Sequence, residues 1–304
     1  MLFEDSLPAR VEIIEVGPRD GLQREQVLVP AADKAALIAD LAAAGLKRIQ
    51  VTSFVHPRRV PQMADAEAVC AQLPAIPGVV FSALVLNLKG IERAQAAGLR
   101  NLDISLSASD EHSRRNANRT VAEALAEYDA MFAQARRAGM HVRGGIQCAF
   151  GFRRPDDVPA AQVLRLVEHL LHLGVDELAL ADSSGMADPK QLAALVQPVM
   201  EVARGTPVIL HLHDTRAMGL ANVLAALACG VRYFDTAFGG LGGCPFIDGA
   251  AGNIATEDTV FMLHQMGIET GVDPAAVATI SARYAHVLGH ADLPGKLYGL
   301  LASR

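Results

Sequence analysis

The stretch LHLGVDELALADS, residues 171–183, decides how the chain is built. Its first three residues close an Ala/Leu-rich helical pattern, Gly174 stops it, and Glu177–Asp182 read as an apolar strand. Glycine suits that stop because it takes the left-handed conformation without a Cβ clash. The same unit recurs as AAAGLKRIQVTSF (42–54), QAAGLRNLDISLS (95–107), RRAGMHVRGGIQC (136–148) and LACGVRYFDTAFGG (227–240). Gly45, Gly98, Gly139, Gly174 and Gly230 are separated by 53, 41, 35 and 56 residues. Each interval holds one strand–helix unit, and the first and last hold a second.

Working outward, eight strands are predicted: Val11–Gly17, Arg48–Phe54, Val79–Leu86, Asn101–Ser107, His141–Phe150, Glu177–Asp182, Val208–His213 and Tyr233–Phe238. Helices fall between them at Ala31–Ala44, Ala64–Leu73, Lys89–Ala97, Val121–Ala138, Ala161–Leu173, Pro189–Ala203 and Leu220–Cys229, and another follows at Glu257–Met266. Strands alternating with helices of this length imply a parallel sheet. Eight such units within residues 8–270 imply an α/β fold of the closed (β/α)8 TIM-barrel type. The alternative, an open doubly wound sheet, lacks a GxGxxG after the first strand. Residues 271–304 read as a helical extension packed on the barrel.

Composition agrees with this. Of 304 residues 51% are hydrophobic and 20% charged, which excludes disordered and collagen-like chains. Mean hydropathy is +0.24, yet no 18-residue apolar run exists, and Ala31–Gly45 is interrupted by Asp33, Lys34 and Asp40. No membrane association is expected. A net charge of −6 argues against a nucleic-acid partner but leaves room for an anionic small molecule held by local arginines. Candidates are Arg58–Arg59, Arg114–Arg115 with Arg119, and Arg153–Arg154. The opening MLFEDSLPAR has no features of a signal or transit peptide. The four cysteines, Cys70, Cys148, Cys229 and Cys244, show neither CxxC nor a disulfide framework. A reduced, cytoplasmic setting is expected.

In such barrels chemistry sits at the carboxyl ends of the strands. There the sequence places GPRDGLQRE (17–25), TSFVHPRRVPQMAD (52–65), HLHDT (211–215) and GGLGGCPFIDGAAGN (239–253). His211 and His213 are two apart on a strand, so both point to one face, the barrel interior. Two inward imidazoles are costly as packing and sensible as metal ligands. Asp20 ends the first strand, which neighbours the eighth in a closed barrel, and Asn253 can add an amide oxygen. Two nitrogens and two oxygens suit Mg²⁺ or Mn²⁺; tetrahedral zinc using Cys244 is the competitor. Arg19 is either a charge partner for Asp20 or a donor to a developing oxyanion. Cys244 lies among Gly239, Gly240, Gly242 and Gly243, a segment able to close over a site with a reactive thiol.

These residues resemble the 3-hydroxy-3-methylglutaryl-CoA (HMG-CoA) lyase family of metal-dependent TIM-barrel lyases. The likeness runs from Val11 to about Val272, through GPRDGLQ (17–23), TSFVxPxxVPQMAD (52–65), NLKG (87–90), HLHDT (211–215) and GLGGCPFxxGAxGNxATED (240–258). It implies a divalent cation, Mg²⁺ or Mn²⁺, on Asp20, His211, His213 and Asn253. It implies Cys244, Arg19 and His211 as catalytic residues, and substrate contacts from Arg19, Gln23, Gln50, Asn87 and Lys89. The implied reaction cleaves an acyl-CoA substrate, HMG-CoA or a close 3-hydroxyacyl analogue, to acetyl-CoA and a keto acid such as acetoacetate. A homodimer is implied as well.

The departures are specific. Gln50 stands where the resemblance calls for an acidic residue, so an impaired homologue is one alternative. A condensing acyltransferase related to isopropylmalate synthases is another. Gly145 replaces an aromatic and Gln147 a small polar residue, which reshapes the acyl pocket. The segment SASDEHSRRN, ending at Asn116, departs from ASExFxxxN. Gln26 replaces a lysine, with Arg24 nearby for phosphate contact.

Overall fold

The structure, a computed structural model, describes residues 7–243 and 252–302. Eight strands run in chain order: β1 Glu12–Glu15, β2 Arg48–Ser53, β3 Val80–Val85, β4 Asn101–Ser107, β5 His141–Gln147, β6 Glu177–Asp182, β7 Val208–Leu212 and β8 Tyr233–Thr236. Each pairs in parallel with its successor, and β8 returns to β1 through Glu12↔Tyr233 and Glu15↔Thr236, closing the barrel. The helices are α1 Ala31–Ala43, α2 Ala66–Ala71, α3 Leu88–Ala96, α4 Asp110–Ala117, α5 Val121–Arg137, α6 Ala160–Leu173, α7 Pro189–Ala203 and α8 Gly219–Ala228. They are followed by α9 Thr256–Gln265, α10 Pro274–Leu288 and α11 Tyr298–Leu301.

The five unit glycines all have left-handed backbones, with φ of +104° at Gly45, +83° at Gly98, +65° at Gly139, +71° at Gly174 and +88° at Gly230. That conformation turns each chain off its helix and into the next strand. The sequence expects several strands to run further than they do. β5 stops at Gln147 rather than Phe150, and β8 at Thr236 rather than Phe238, where the backbone bends into the loops at the barrel mouth. GPRDG does not continue β1; it forms a π-type turn, Gly17–Gly21, whose Asp20 and Gly21 amides both donate to the Val16 carbonyl. Helix α4 is absent from the expected helices. Its DEHSRRNA sequence carries no apolar stripe, and it is started by the Ser109 hydroxyl accepting from the His112 amide.

Alternation along the strands sorts the side chains. Val208, Leu210 and Leu212 face outward into one continuous apolar shell against the helices. Inside, a small apolar cluster of Ile14, Val16, Ala179, Ile209 and Ala237 fills only one side. The rest of the interior mixes charged side chains with polar and small ones. At its amino-terminal end Arg48 reaches Glu177 at 2.5 Å and Glu12 at 3.3 Å.

After β8 the chain braces the mouth from outside. Tyr284 of α10 sets its ring edge-on to Phe238, centroids 5.5 Å apart. The Gly295 amide donates to the Gly239 carbonyl at 2.9 Å, and Asp258 of α9 accepts from the Lys296 and Leu297 amides at 2.8 Å each. Among the described residues no helix is long and apolar enough to cross a membrane.

Candidate active site and metal centre

β7 ends with His211 and His213 aimed inward, their Nε2 atoms 3.1 Å apart. Asp20, on the turn after β1, brings Oδ2 to 3.8 Å from His211 Nε2. The three form a possible metal site, one ligand atom from each lying within 4.8 Å of the others. Asn253 closes the group: its Nδ2 donates to Asp20 Oδ2 and to the Leu241 carbonyl, both at 2.9 Å. Gly242 makes this approach possible. Its φ is +113°, and a Cβ there would sit 2.6 Å from Asn253 Nδ2.

The donor set fits a divalent cation. Asn253 Oδ1 is buried without a hydrogen-bond partner among the described residues, an acceptor left over for a ligand. Burial pushes the Asp20 carboxyl up, but Arg19 and the two imidazoles outweigh it and hold it at about 2. Burial and the neighbouring His211 push the His213 imidazole down to about 3. An ionised carboxylate and a neutral imidazole are the forms a cation needs. Asp235 sets the His211 tautomer. Its Oδ2 lies 3.1 Å from His211 Nδ1. Burial raises that carboxyl, but Arg143 and the His211 hydrogen bond hold it well below the usual carboxylate range. It therefore accepts the Nδ1 proton, leaving the Nε2 lone pair facing Asp20 and His213.

Arg19 lies beside this group, its Nη1 on Asp20 Oδ1 and its Nε on Gln50 Oε1. Gln23 Nε2 donates to Asp20 Oδ1 at 2.9 Å. These residues and Asn87 line a cavity of about 700 Å³ at the barrel mouth. Asn87 Oδ1 caps α3 through the Gly90 amide. Lys89 is exposed and does not line the cavity. Cys244 lies outside the described residues. Of the arginine candidates, Arg59, Arg115 and Arg119 line the cavity together with Arg24. Arg153 and Arg154 do not; Arg153 pairs with Glu111 and Arg154 with Asp156.

Sequence reasoning missed Asp103, Arg143 and Asp235. Arg143 forks onto Asp235, at 2.7 and 3.1 Å, while its Nε meets Asp103 Oδ1. The available signal was a lone charge inside each of three otherwise uncharged or apolar strand cores, LDIS, VRGG and YFDT. Glu15 was missed too. It faces outward from β1 and accepts from the Gly17 amide at 2.7 Å, the Phe238 amide at 3.1 Å and the Thr256 hydroxyl at 2.7 Å. It thereby ties the first and last strand-end loops together, and burial pushes its carboxyl up to about 8.

A closed barrel with an acid–imidazole cluster under a deep mouth cavity defines a metal-assisted barrel enzyme. Comparison with known proteins narrows the class. The HMGL-like family model matches residues 10–283, and the chain belongs to that family. It is 42% identical over 285 residues to the hydroxymethylglutaryl-CoA lyase of Pseudomonas mevalonii, covering 93% of this chain and 94% of that one. It is 38% identical over 297 residues to the 3-hydroxy-3-isohexenylglutaryl-CoA/hydroxymethylglutaryl-CoA lyase of Pseudomonas aeruginosa, covering 98% and 99%. The HMG-CoA lyase of Acinetobacter baumannii, solved with coenzyme A and 3-methylmalate, superposes with a TM-score of 0.91 at 39% identity, over 97% of this chain and 96% of that one.

Proposed function

We propose that this chain is a divalent-metal-dependent carbon–carbon lyase that cleaves HMG-CoA, or a close 3-hydroxyacyl-CoA, to acetyl-CoA and a keto acid. The observation that carries the reading is the convergence of Asp20, His211 and His213, with Asn253 held against Asp20 through its Nδ2 and Arg19 beside them on the cavity lining. A bound Mg²⁺ or Mn²⁺ would acidify the substrate's 3-hydroxyl and polarise the carbonyl that replaces it. The hydroxyl proton passes to His211, whose Nε2 lone pair is held toward the site by Asp235. That lone pair serves the proton or the cation in turn, so in this step the cation would be held by Asp20, His213 and Asn253. The C2–C3 bond then breaks. C3 keeps its oxygen as the ketone, and the electron pair stays on C2 as the thioester enolate. Arg19 would offer that developing oxyanion its Nη2, for which the described residues provide no partner. Cys244 returns a proton to C2, giving acetyl-CoA. A donor placed in this way contributes about 10²–10⁴-fold.

Arg24, Arg59, Arg115 and Arg119 along the mouth suit the phosphates of a coenzyme A chain. The acyl pocket is walled by Ser105, Gly145, Ala179 and Ala181, small side chains that leave room for a longer 3-substituent. A homodimer in the cytoplasm completes the reading.

Release of acetyl-CoA from HMG-CoA, measured with Mg²⁺, with Mn²⁺ and with chelator, tests it. Cation-dependent release that collapses in Cys244→Ala is expected. Release indifferent to chelator and to the Cys244 change would overturn the mechanism.

A further inference from the structure

Gln50 is fully buried on β2, and both ends of its amide are committed to the wall. Its Oε1 accepts from Arg19 Nε, and its Nε2 donates to Asp103 Oδ2 on β4. Asp103 also accepts from the Ser82 hydroxyl at 3.0 Å and pairs through Oδ1 with Arg143 Nε. Arg143 continues the chain to Asp235, and Asp235 to His211. Five hydrogen-bonded links thus run round the inner wall from Arg19 to His211.

One residue in that circuit is chemically constrained. The side chain at 50 must accept from a guanidinium on one side and donate to a carboxylate on the other, both out of water. Glutamine does both with a single planar group. A glutamate would satisfy Arg19 but set its second oxygen against Asp103 Oδ2, two buried carboxylates in contact, one of which must then take up a proton. Asp103 already meets the side chain at 50 and shares Arg143 with Asp235.

We propose that Asp103 positions the Nε side of Arg19 through the Gln50 amide, while Asp20 holds Nη1 directly, so that the charge expected on β2 has moved two strands across to β4. Gln50 is then an intact part of the machinery, and an acidic residue at 50 is harmful unless Asp103 is neutralised at the same time. The inference rests on the reading of Arg19 as the oxyanion donor.

Four proteins test it: the wild type, Gln50→Glu, Asp103→Asn and the double variant. Each is assayed for kcat and KM in acetyl-CoA release from HMG-CoA with saturating Mg²⁺, and for thermal midpoint at pH 7.5. Gln50→Glu is expected to lose about tenfold or more in kcat, with little change in KM because both polar ends of the side chain, though it lines the cavity, are taken up by Arg19 and Asp103. It also lowers the midpoint. The double variant returns the charge to β2 at constant total and is expected to recover kcat to within about threefold of wild type, together with the midpoint. Gln50→Glu as active as the wild type, or a double variant no better than Gln50→Glu, overturns the proposal. A wild-type chain that releases no acetyl-CoA overturns the lyase reading alone; the four midpoints still decide the charge exchange.

Discussion

Along β7, Val208, Leu210 and Leu212 alternate with Ile209, His211 and His213, and the two sets answer to different physics. The outward residues join a shell that is stabilised by exclusion from water, about 25 cal/mol per Å² of apolar surface. Any side chain of the right volume does this work. The inward set shares the barrel lumen with Arg48, Asp103, Arg143, Glu177 and Asp235, where volume is secondary and each charge needs a named partner. A lumen filled mainly by branched aliphatics is the commoner solution for this fold. Here only one side of it is apolar. The lesson is that stability and chemistry have been assigned to opposite faces of the same eight strands.

Substitutions can break that division. The largest expected effect is at the site: His213→Ala should abolish cation-dependent turnover, at least about 10³-fold in kcat, with calorimetry showing lost Mg²⁺ binding in a protein that still folds. Retained Mg²⁺ affinity would show that the imidazole is not a ligand. Next comes Arg143→Met, which leaves Asp103 and Asp235 buried without their cation. Chemical denaturation should report a loss of about 3–5 kcal/mol. A loss under about 1 kcal/mol would mean that the lumen charges are solvated. On the outer face, Leu170→Ala on α6 should cost about 2–5 kcal/mol while leaving kcat unchanged. A drop in kcat there would blur the boundary between the faces.

The smallest effect concerns pH. The Glu15 carboxyl, ordinarily near 4.5, sits at about 8 in the folded chain. Its contribution to stability is therefore complete below about 4.5 and is lost as pH rises toward and through 8. Burial raises Glu257 to about 7, which acts in the same direction. Thermal midpoints should fall between pH 5 and 8.5, and Glu15→Gln, whose amide nitrogen would donate to the Thr256 hydroxyl instead of accepting from it, should shrink that fall without removing it. An undiminished fall in Glu15→Gln would assign the effect elsewhere.

The outer face was legible in the sequence because it is periodic. Asn101–Ser107, Glu177–Asp182 and Pro189–Ala203 have the bounds that apolar patterning gives, and the five stop glycines all take the left-handed backbone. The barrel followed from counting such units. At the site, local spacing placed His211 and His213 on one face, and strand order brought Asp20 to them. Asp103, Arg143 and Asp235 were not legible, since a lone charge in a strand acquires meaning only from partners 40 and 92 residues away. Gln50 looked like a defect for the same reason: its partner Asp103 is 53 positions downstream. Helix α4 escaped because it is held by its ends rather than by an apolar stripe.

The bracing of Gly239 by Gly295, and of residues 296–297 by Asp258, carries a consequence for biosynthesis. A nascent chain acquires Asp20 and both histidines long before residue 295 leaves the ribosome. Until then Gly239 lacks the Gly295 amide and Asp258 lacks its two backbone donors, although β8 is already available to pair with β1. The contacts from residues 295–297 are thus the last to form at the barrel mouth, after all eight strands and both histidines have been made.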